Sequence, residues 1–413
     1  MNYRSVSLLF VFSLLVRFLF FPYWGNLPLG GDESYYWDLA CRIARGELIP
    51  QDIFLRPPIW VYLLSISALF ADNPLWGRLF TTVLGAAIPP LMYVVGTRIF
   101  SKKVGILAGV LSAIYPEFIG YSHYLWSENF YLLFSLVITC LLFKKREVEA
   151  FGTNYYLPFA AMGIALLIKE TGLLFFVASL STLKRADILR HRCIPVYAFL
   201  LFALPVVIYS AYATYSNKRV ILVAEAPFIN ANEAVYGHKI WKLTREENRE
   251  LFLKEVLVGK VKHALYTIPK QFANLWTPNS FVIHRLLDAE KFGNYDMPHA
   301  PLYANISVYA YLTVVLLGLT GMAVSDASPF KTFSLYYLVF ISLSGALFFM
   351  CSRFRIPVMH IFCLYTAVLV SEPKKLVTLK TRAKWPSGVV LVISIALVVI
   401  VSVTKWKTLG RWG

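Results

Sequence analysis

The feature that most constrains this chain is its succession of apolar blocks about 20 residues long, the length a helix needs to cross the hydrocarbon core of a bilayer. Inside lipid a backbone must satisfy its own hydrogen bonds, which leaves helices or a closed barrel. Runs such as Val389–Val403 do not alternate apolar with polar residues, so barrel strands are excluded. Composition agrees: 58% of the 413 residues are hydrophobic and 15% are charged, where a soluble domain carries about a quarter charged. The expected fold is an all-α polytopic membrane protein.

Spans are expected at roughly 5–24, 75–98, 104–121, 125–143, 155–168, 171–183, 194–215, 301–324, 332–350, 355–371 and 387–404, about eleven in all. Residues 57–71 are apolar too, but short and opened by Pro57-Pro58, which suits an interfacial segment better than a crossing. If 57–71 does not cross, the basic loops at Lys102-Lys103, Lys144-Lys145-Arg146, Lys184-Arg185 with Arg190 and Arg192, and Lys374–Lys384 all share one side with the N-terminus. That is the positive-inside pattern and predicts a plasma (inner) membrane protein with a cytoplasmic N-terminus. Arg4 followed by Ser5–Phe21 resembles a signal sequence, yet no small-residue cleavage site follows, so a retained first span is expected.

The formal charge of +17 would suggest nucleic acid in a soluble protein; here the basic residues sit in short loops and orient the chain, so no nucleic-acid partner is expected. The five cysteines (Cys41, Cys140, Cys193, Cys351 and Cys363) lie in or beside apolar segments with no CxxC pair, so neither a disulfide framework nor a zinc site is indicated. Three regions follow: a transmembrane module over 1–215 whose first external loop, 25–74, holds the acidic residues; a small soluble insert over 216–300; and C-terminal helices over 301–413.

The strongest local feature is Gly30-Gly31-Asp32-Glu33-Ser34-Tyr35-Tyr36. Two glycines allow a sharp turn, and Asp32 then opens a segment with helical apolar spacing. Its plainer reading makes Asp32 an N-cap and Glu33 a first-turn carboxylate; a carboxylate held there is also well placed as a base. Arg56 precedes a stiff proline pair that fixes where it reaches, the plainer reading being an arginine snorkelling to headgroups. Lys169-Glu170-Thr171 interrupts an apolar stretch, where a lysine needs an ion pair with Glu170 or a polar cavity. Glu128, with His123 just before it, opens another span, and Arg353-Phe354-Arg355-Ile356-Pro357 again puts cations before a proline. Together the carboxylates (Asp32, Glu33, Glu128) and cations (Arg56, Lys169, Arg353, Arg355) fall at the outer ends of spans. Such a set suits an anionic lipid headgroup, with cations on phosphate and a carboxylate activating a hydroxyl. No HExxH, Walker loop, GxSxG or GxGxxG in context is present, which argues against direct use of a nucleotide sugar.

Gly31-Asp32-Glu33-Ser34-Tyr35-Tyr36 followed by Arg56-Pro57-Pro58-Ile59-Trp60-Val61-Tyr62-Leu63 resembles the GT-C glycosyltransferases, in the branch of the protein O-mannosyltransferases and the bacterial aminoarabinose lipid A transferases. Trp76-Gly77-Arg78-Leu79, Gly96-Thr97-Arg98-Ile99-Phe100 and the Arg353–Pro357 stretch add to it. The resemblance covers about residues 5–185 well and the final third by pattern. It implies inverting transfer of a sugar from a polyprenyl-phosphate carrier to a lipid, glycan or protein on the periplasmic or external side, an activity of EC 2.4 type. It implies that Asp32 is the base, that Arg56 (where the family usually has Lys) and Lys169 bind the carrier phosphate, and that Glu128 matches an acidic span opener. No cofactor is required; room remains for a divalent cation beside Asp32 and Glu33. Two other readings stay open: a transporter of polyprenyl-phosphate or lipid-linked sugars, and a non-catalytic GT-C-like subunit of an envelope assembly complex.

Overall fold

The computed structural model describes residues 3–25, 28–47, 54–143, 153–183, 194–236, 240, 242–256, 269–283, 299–345 and 348–374. Its elements are helical: α1 Tyr3–Trp24, α2 Asp32–Ala44, α3 Ile59–Ala68, α4 Pro74–Ala86, α5 Ile88–Ile99, α6 Lys102–Ile114, α7 Pro116–Tyr121, α8 Glu128–Leu142, α9 Thr153–Leu166, α10 Gly172–Ser179, α11 Ile194–Asn217, α12 Ala226–Tyr236, α13 Arg245–Leu251, α14 Ala300–Val324, α15 Pro329–Ser344 and α16 Met359–Ser371, the last entered through a 3-10 turn at Ser352–Val358. The expected 387–404 span, the basic loops at 144–146 and 184–192, most of 374–384, and Cys193 lie outside the described residues.

Five stretches are long and apolar enough to cross a membrane: Tyr3–Trp24, Pro74–Ile99, Ile194–Asn217, Ala300–Val324 and Ser352–Ser371. The chain is thus an all-helical membrane protein, with fewer full-length crossings among the described residues than the apolar blocks suggested. The 155–168 and 171–183 blocks become α9 and α10, of 14 and 8 residues. At 1.5 Å per residue they are about 21 and 12 Å long, short of a roughly 30 Å hydrocarbon core. The 104–121 block breaks where Pro116 follows Tyr115, which is extended at ψ 118° as a residue before proline prefers.

The spans sort into an outer ring and a centre. In their apolar windows 17% of α1 and α11 is buried, against 89% of Ser352–Ser371. Leu8, Leu15 and Leu19 of α1, and Val207 and Ile208 of α11, are left outward, an apolar surface that fits lipid and not water. At the centre, small residues let helix backbones touch. A Cβ on Gly96 of α5 would lie 2.8 Å from Gly105 Cα of α6, and one on Gly318 of α14 would lie 2.7 Å from the Phe362 carbonyl oxygen of α16. Without a hydrophobic drive between helices in lipid, such close approach supplies the packing energy.

Helix α3 is 10 residues long, about 15 Å, and packs on α2 and α4. It cannot cross, so α2 and α4 begin on the same side. Two outcomes follow from this geometry. Cysteines introduced at exposed Ser34 and Ala71 will react with an impermeant maleimide from the same face of the membrane. Gly318→Leu will overpack the α14–α16 seam by about 1–3 kcal/mol, read as a lowered thermal midpoint in detergent.

Candidate active site

The site begins at a turn that glycine makes possible. Gly31 sits at φ 57°, ψ −125°, and is itself the N-cap of α2. Asp32 is therefore the first helical residue, not the cap, and its side chain makes no capping bond. It turns instead to two arginines: Oδ1 accepts from Arg56 at 3.0 Å and Oδ2 from Arg353 at 2.7 Å. Arg353 also stands 2.9 Å from Glu128 through Nε, and Lys169 donates to Glu128 at 2.8 Å. A row results, Arg56–Asp32–Arg353–Glu128–Lys169, alternating in sign with a cation at each end. Side-chain exposure is greatest at Asp32, 21%, and Arg353, 14%, and lower at Arg56, 9%, Lys169, 5%, and Glu128, 2%. Asp32 is at the mouth.

Each member is held by its element. Pro57-Pro58 precede α3, and the Ile59 amide donates to the Leu167 carbonyl at 3.1 Å, tying the Arg56 turn to the turn that carries Lys169. Arg353 lies with its guanidinium 5.0 Å from the Trp126 ring centre, and Lys169 is 5.1 Å from that of Phe354. The Phe281 amide donates to Ser352 at 2.9 Å, so a described part of the 216–300 insert braces the Arg353 turn. A second brace comes from the Glu225 amide, 3.0 Å from the Phe54 carbonyl two residues before Arg56.

Two expected site residues do not join the row. Glu33 is fully buried beneath α2, 3.7 Å from Arg78, and accepts the Leu125 amide at 3.1 Å. Adjacent helical residues point about 100° apart, so Asp32 facing the mouth sends Glu33 inward. Arg78 in turn donates to the carbonyls of Trp24 at 2.5 Å and Gly25 at 3.1 Å, capping the end of α1. Arg355 is likewise buried, 2.5 Å from Glu117, donating to the carbonyls of Leu275 and Thr277 and stacked 3.8 Å from the Tyr311 ring centre. The Lys169–Glu170 pair does not form either: Lys169 reaches across to Glu128, and Glu170 Oε1 is buried without a hydrogen-bond partner among the described residues. Glu117, which the sequence reading passed over, announces itself only by standing in an apolar run after Pro116.

Burial pushes the Asp32 carboxyl up, but the Arg56 and Arg353 guanidiniums beside it outweigh that and hold it well below the ordinary carboxylate range. Burial alone would lower Arg56; Asp32 reverses this and raises it. His123, enclosed near Trp24 and Phe21 with Nδ1 3.1 Å from Thr82, is pushed down to about 3 by burial and by Arg17 and Arg78, so it stays neutral. The place left for a divalent cation is not furnished with ligands. Both Asp32 oxygens face guanidiniums, Glu33 is committed to Arg78, and among the described residues no three His, Cys, Asp or Glu side chains gather. That donor set does not fit a metal.

The resemblance implied a base at Asp32 and cations at Arg56 and Lys169, and the structure brings these three residues into one row. Residues 55–212 match the dolichyl-phosphate-mannose-protein mannosyltransferase family. The match takes in Arg56, Glu128 and Lys169; Asp32 and Arg353 lie outside it. No curated protein sequence matches the chain. Among solved structures, ArnT from Cupriavidus metallidurans bound to undecaprenyl phosphate is similar at 15% identity and a TM-score of 0.55, over 96% of this chain and 69% of that one. AglB, the oligosaccharyltransferase of Archaeoglobus fulgidus, in complex with an inhibitory peptide and a dolichol-phosphate, is similar at 15% identity and a TM-score of 0.52, over 97% of this chain and 55% of that one. The same archaeal enzyme in complex with Zn and sulfate gives 16% identity and 0.52, over 94% and 52%. The chain thus spans about half the length of the archaeal enzyme. At these identities the likeness establishes the fold, which is of GT-C type.

Because Glu128 is 2% exposed between two cations, removing Lys169 leaves its charge to Arg353 alone. Lys169→Met will destabilise the protein by about 1–3 kcal/mol. Adding Glu128→Gln to it will restore much of that loss, and thermal unfolding in detergent of the two single variants and the double variant reads the coupling.

Proposed function

We propose that this protein is an inverting membrane glycosyltransferase, of EC 2.4 type, that moves a sugar from a polyprenyl-phosphate carrier to a hydroxyl- or amine-bearing lipid, glycan or protein outside the membrane. The observation that carries this reading is the Asp32 carboxylate, the most exposed member of the row, lying between Arg56 and Arg353. The mannosyltransferase match over 55–212 supports it, as does the fold shared with an ArnT and an AglB whose structures hold undecaprenyl phosphate and a dolichol-phosphate.

The chemistry asks little more than this row supplies. A carrier phosphate leaves readily once its charge is neutralised, so no general acid is needed. Arg56, Arg353 and Lys169 neutralise it, and they act most where charge grows in the transition state. Asp32 takes the proton of the attacking group. Attack on the anomeric carbon opposite the departing phosphate inverts the centre. Two carboxylates flanking one glycosidic bond would instead serve hydrolysis; Asp32 and Glu33 cannot do so, since Glu33 points into the core. The positive-inside pattern of the loops supports a site on the periplasmic or extracellular side of the plasma membrane.

A transporter of the same carrier would use the three cations without a base, and a non-catalytic subunit would keep the cleft without chemistry. Asp32→Asn decides among them. Sugar transfer, followed by mass spectrometry of envelope lipids, glycans and proteins from cells carrying each variant, will fall by about 10²–10⁴-fold. Arg56→Lys, which keeps the charge and loses the fork, will lose less. If Asp32→Asn keeps most of the activity, the transferase reading fails.

A further inference from the structure

We propose that the carrier phosphate and Asp32 compete for the same two arginines, so that donor binding unmasks the base and the proton then held on Asp32 retains the product phosphate. The inference rests on the transferase reading and specifies the order of events at its site.

Each Asp32 oxygen is engaged by a guanidinium, Oδ1 by Arg56 and Oδ2 by Arg353. A carboxylate so paired accepts a proton poorly, and the depression of its ionisation by those arginines expresses the same fact. The base is present but masked. A phosphate brings an anion that guanidinium binds in bidentate fashion. Arg353 is shared already, with Glu128 on its other side, so its bond to Asp32 is one of two and can be exchanged. Each guanidinium that turns to phosphate leaves Asp32 ionised with less compensation, and its affinity for a proton rises. The other groups near it are Lys169 from the turn after α9 and Tyr36 one turn along α2, which in turn feels Glu128 at the start of α8 and Glu170 beside Lys169. None of these replaces the arginines: Lys169 is bonded to Glu128, and the rest are acidic or phenolic.

The charges balance through the reaction. The row carries three cations and two carboxylates, and Glu170 stands near it outside any ion pair. The donor is a phosphodiester of charge −1. When the acceptor attacks, its proton passes to Asp32, the bond from the anomeric carbon to the phosphate oxygen breaks, and the electron pair stays on that oxygen. The phosphate becomes a dianion as the row gains one positive charge. The two changes cancel within the site, whatever fixed charge surrounds it. The product monophosphate therefore binds best while Asp32 holds the proton, and loss of that proton restores Asp32's claim on the arginines and expels the product.

Binding of a short-chain polyprenyl monophosphate, in detergent and without acceptor, tests this. Asp32→Asn removes the competing charge in the same shape, and Asp32→Ala removes it with the side chain, so that one variant answers if the other does not fold. At pH 8 the neutral variants will bind the monophosphate at least about tenfold more tightly than the unaltered protein, as expected for lifting a like charge a few ångströms away. Phosphate titrates near pH 6, but the ratio of the affinities cancels that common term, and the ratio will shrink as pH falls and Asp32 takes up a proton. Equal or weaker binding by both folded variants overturns the competition and leaves the transferase reading standing. No binding by any of the three proteins overturns the carrier reading and this inference with it.

Discussion

A carboxylate at the rim of a lipid-embedded core stays ionised only if cations reach it, and the two that reach Asp32 come from opposite ends of the chain. Arg56 is 24 residues away and Arg353 is 321. The site therefore does not exist until the C-terminal helices have closed against the segment that carries Asp32 and Arg56. Much of the remaining architecture serves that closure. Arg355 anchors the same turn through Glu117 and the carbonyls of Leu275 and Thr277, while Ser352 receives the Phe281 amide. Two arginines two residues apart thus divide the work, one on the site and one on its foundation.

That division was not legible from the sequence. Arg353 and Arg355 are the same residue type on either side of Phe354, and only the 3-10 turn that presents one to Asp32 and the other to Glu117 distinguishes them. Asp32 and Glu33 posed the same problem, and there helical rotation settles it. Legible, by contrast, was what a one-dimensional pattern dictates: the helical membrane class from block length and the shortness of the apolar segment after Pro57-Pro58. Lys169 was correctly read as needing an anion, but the anion is 41 residues away and not next door. A lysine at the tip of a tight turn between two short helices points past its neighbour, and sequence adjacency says nothing of it.

The short helices make sense in the same terms. A span of about 20 residues would carry its end to the far interface, whereas α9 stops after 14 residues and α10 starts at Gly172, so the turn between them stays at the depth of the site. What looks like a defective pair of crossings is a device for delivering an ammonium group to a buried carboxylate. The burial of Glu128 and Lys169 is stabilising only as a pair, and the pair in turn fixes the inner end of the row on which Arg353 rests.

The main chain of one residue joins these parts. The Leu125 amide is taken by Glu33 of α2 and its carbonyl by the indole of Trp60 on α3, at 3.1 and 2.9 Å. Three residues later the chain enters α8 at Glu128. The two helices that carry Asp32 and follow Arg56 are thus registered against the Glu128 end of the row through main-chain atoms alone. Main-chain registration has a consequence for how such a site can drift or be engineered. For these two bonds any residue but proline would serve at 125, so what fixes the leucine is its side chain, fully buried and packed against Gly77. The joint thus constrains its neighbours through their polar groups and its own position through packing alone.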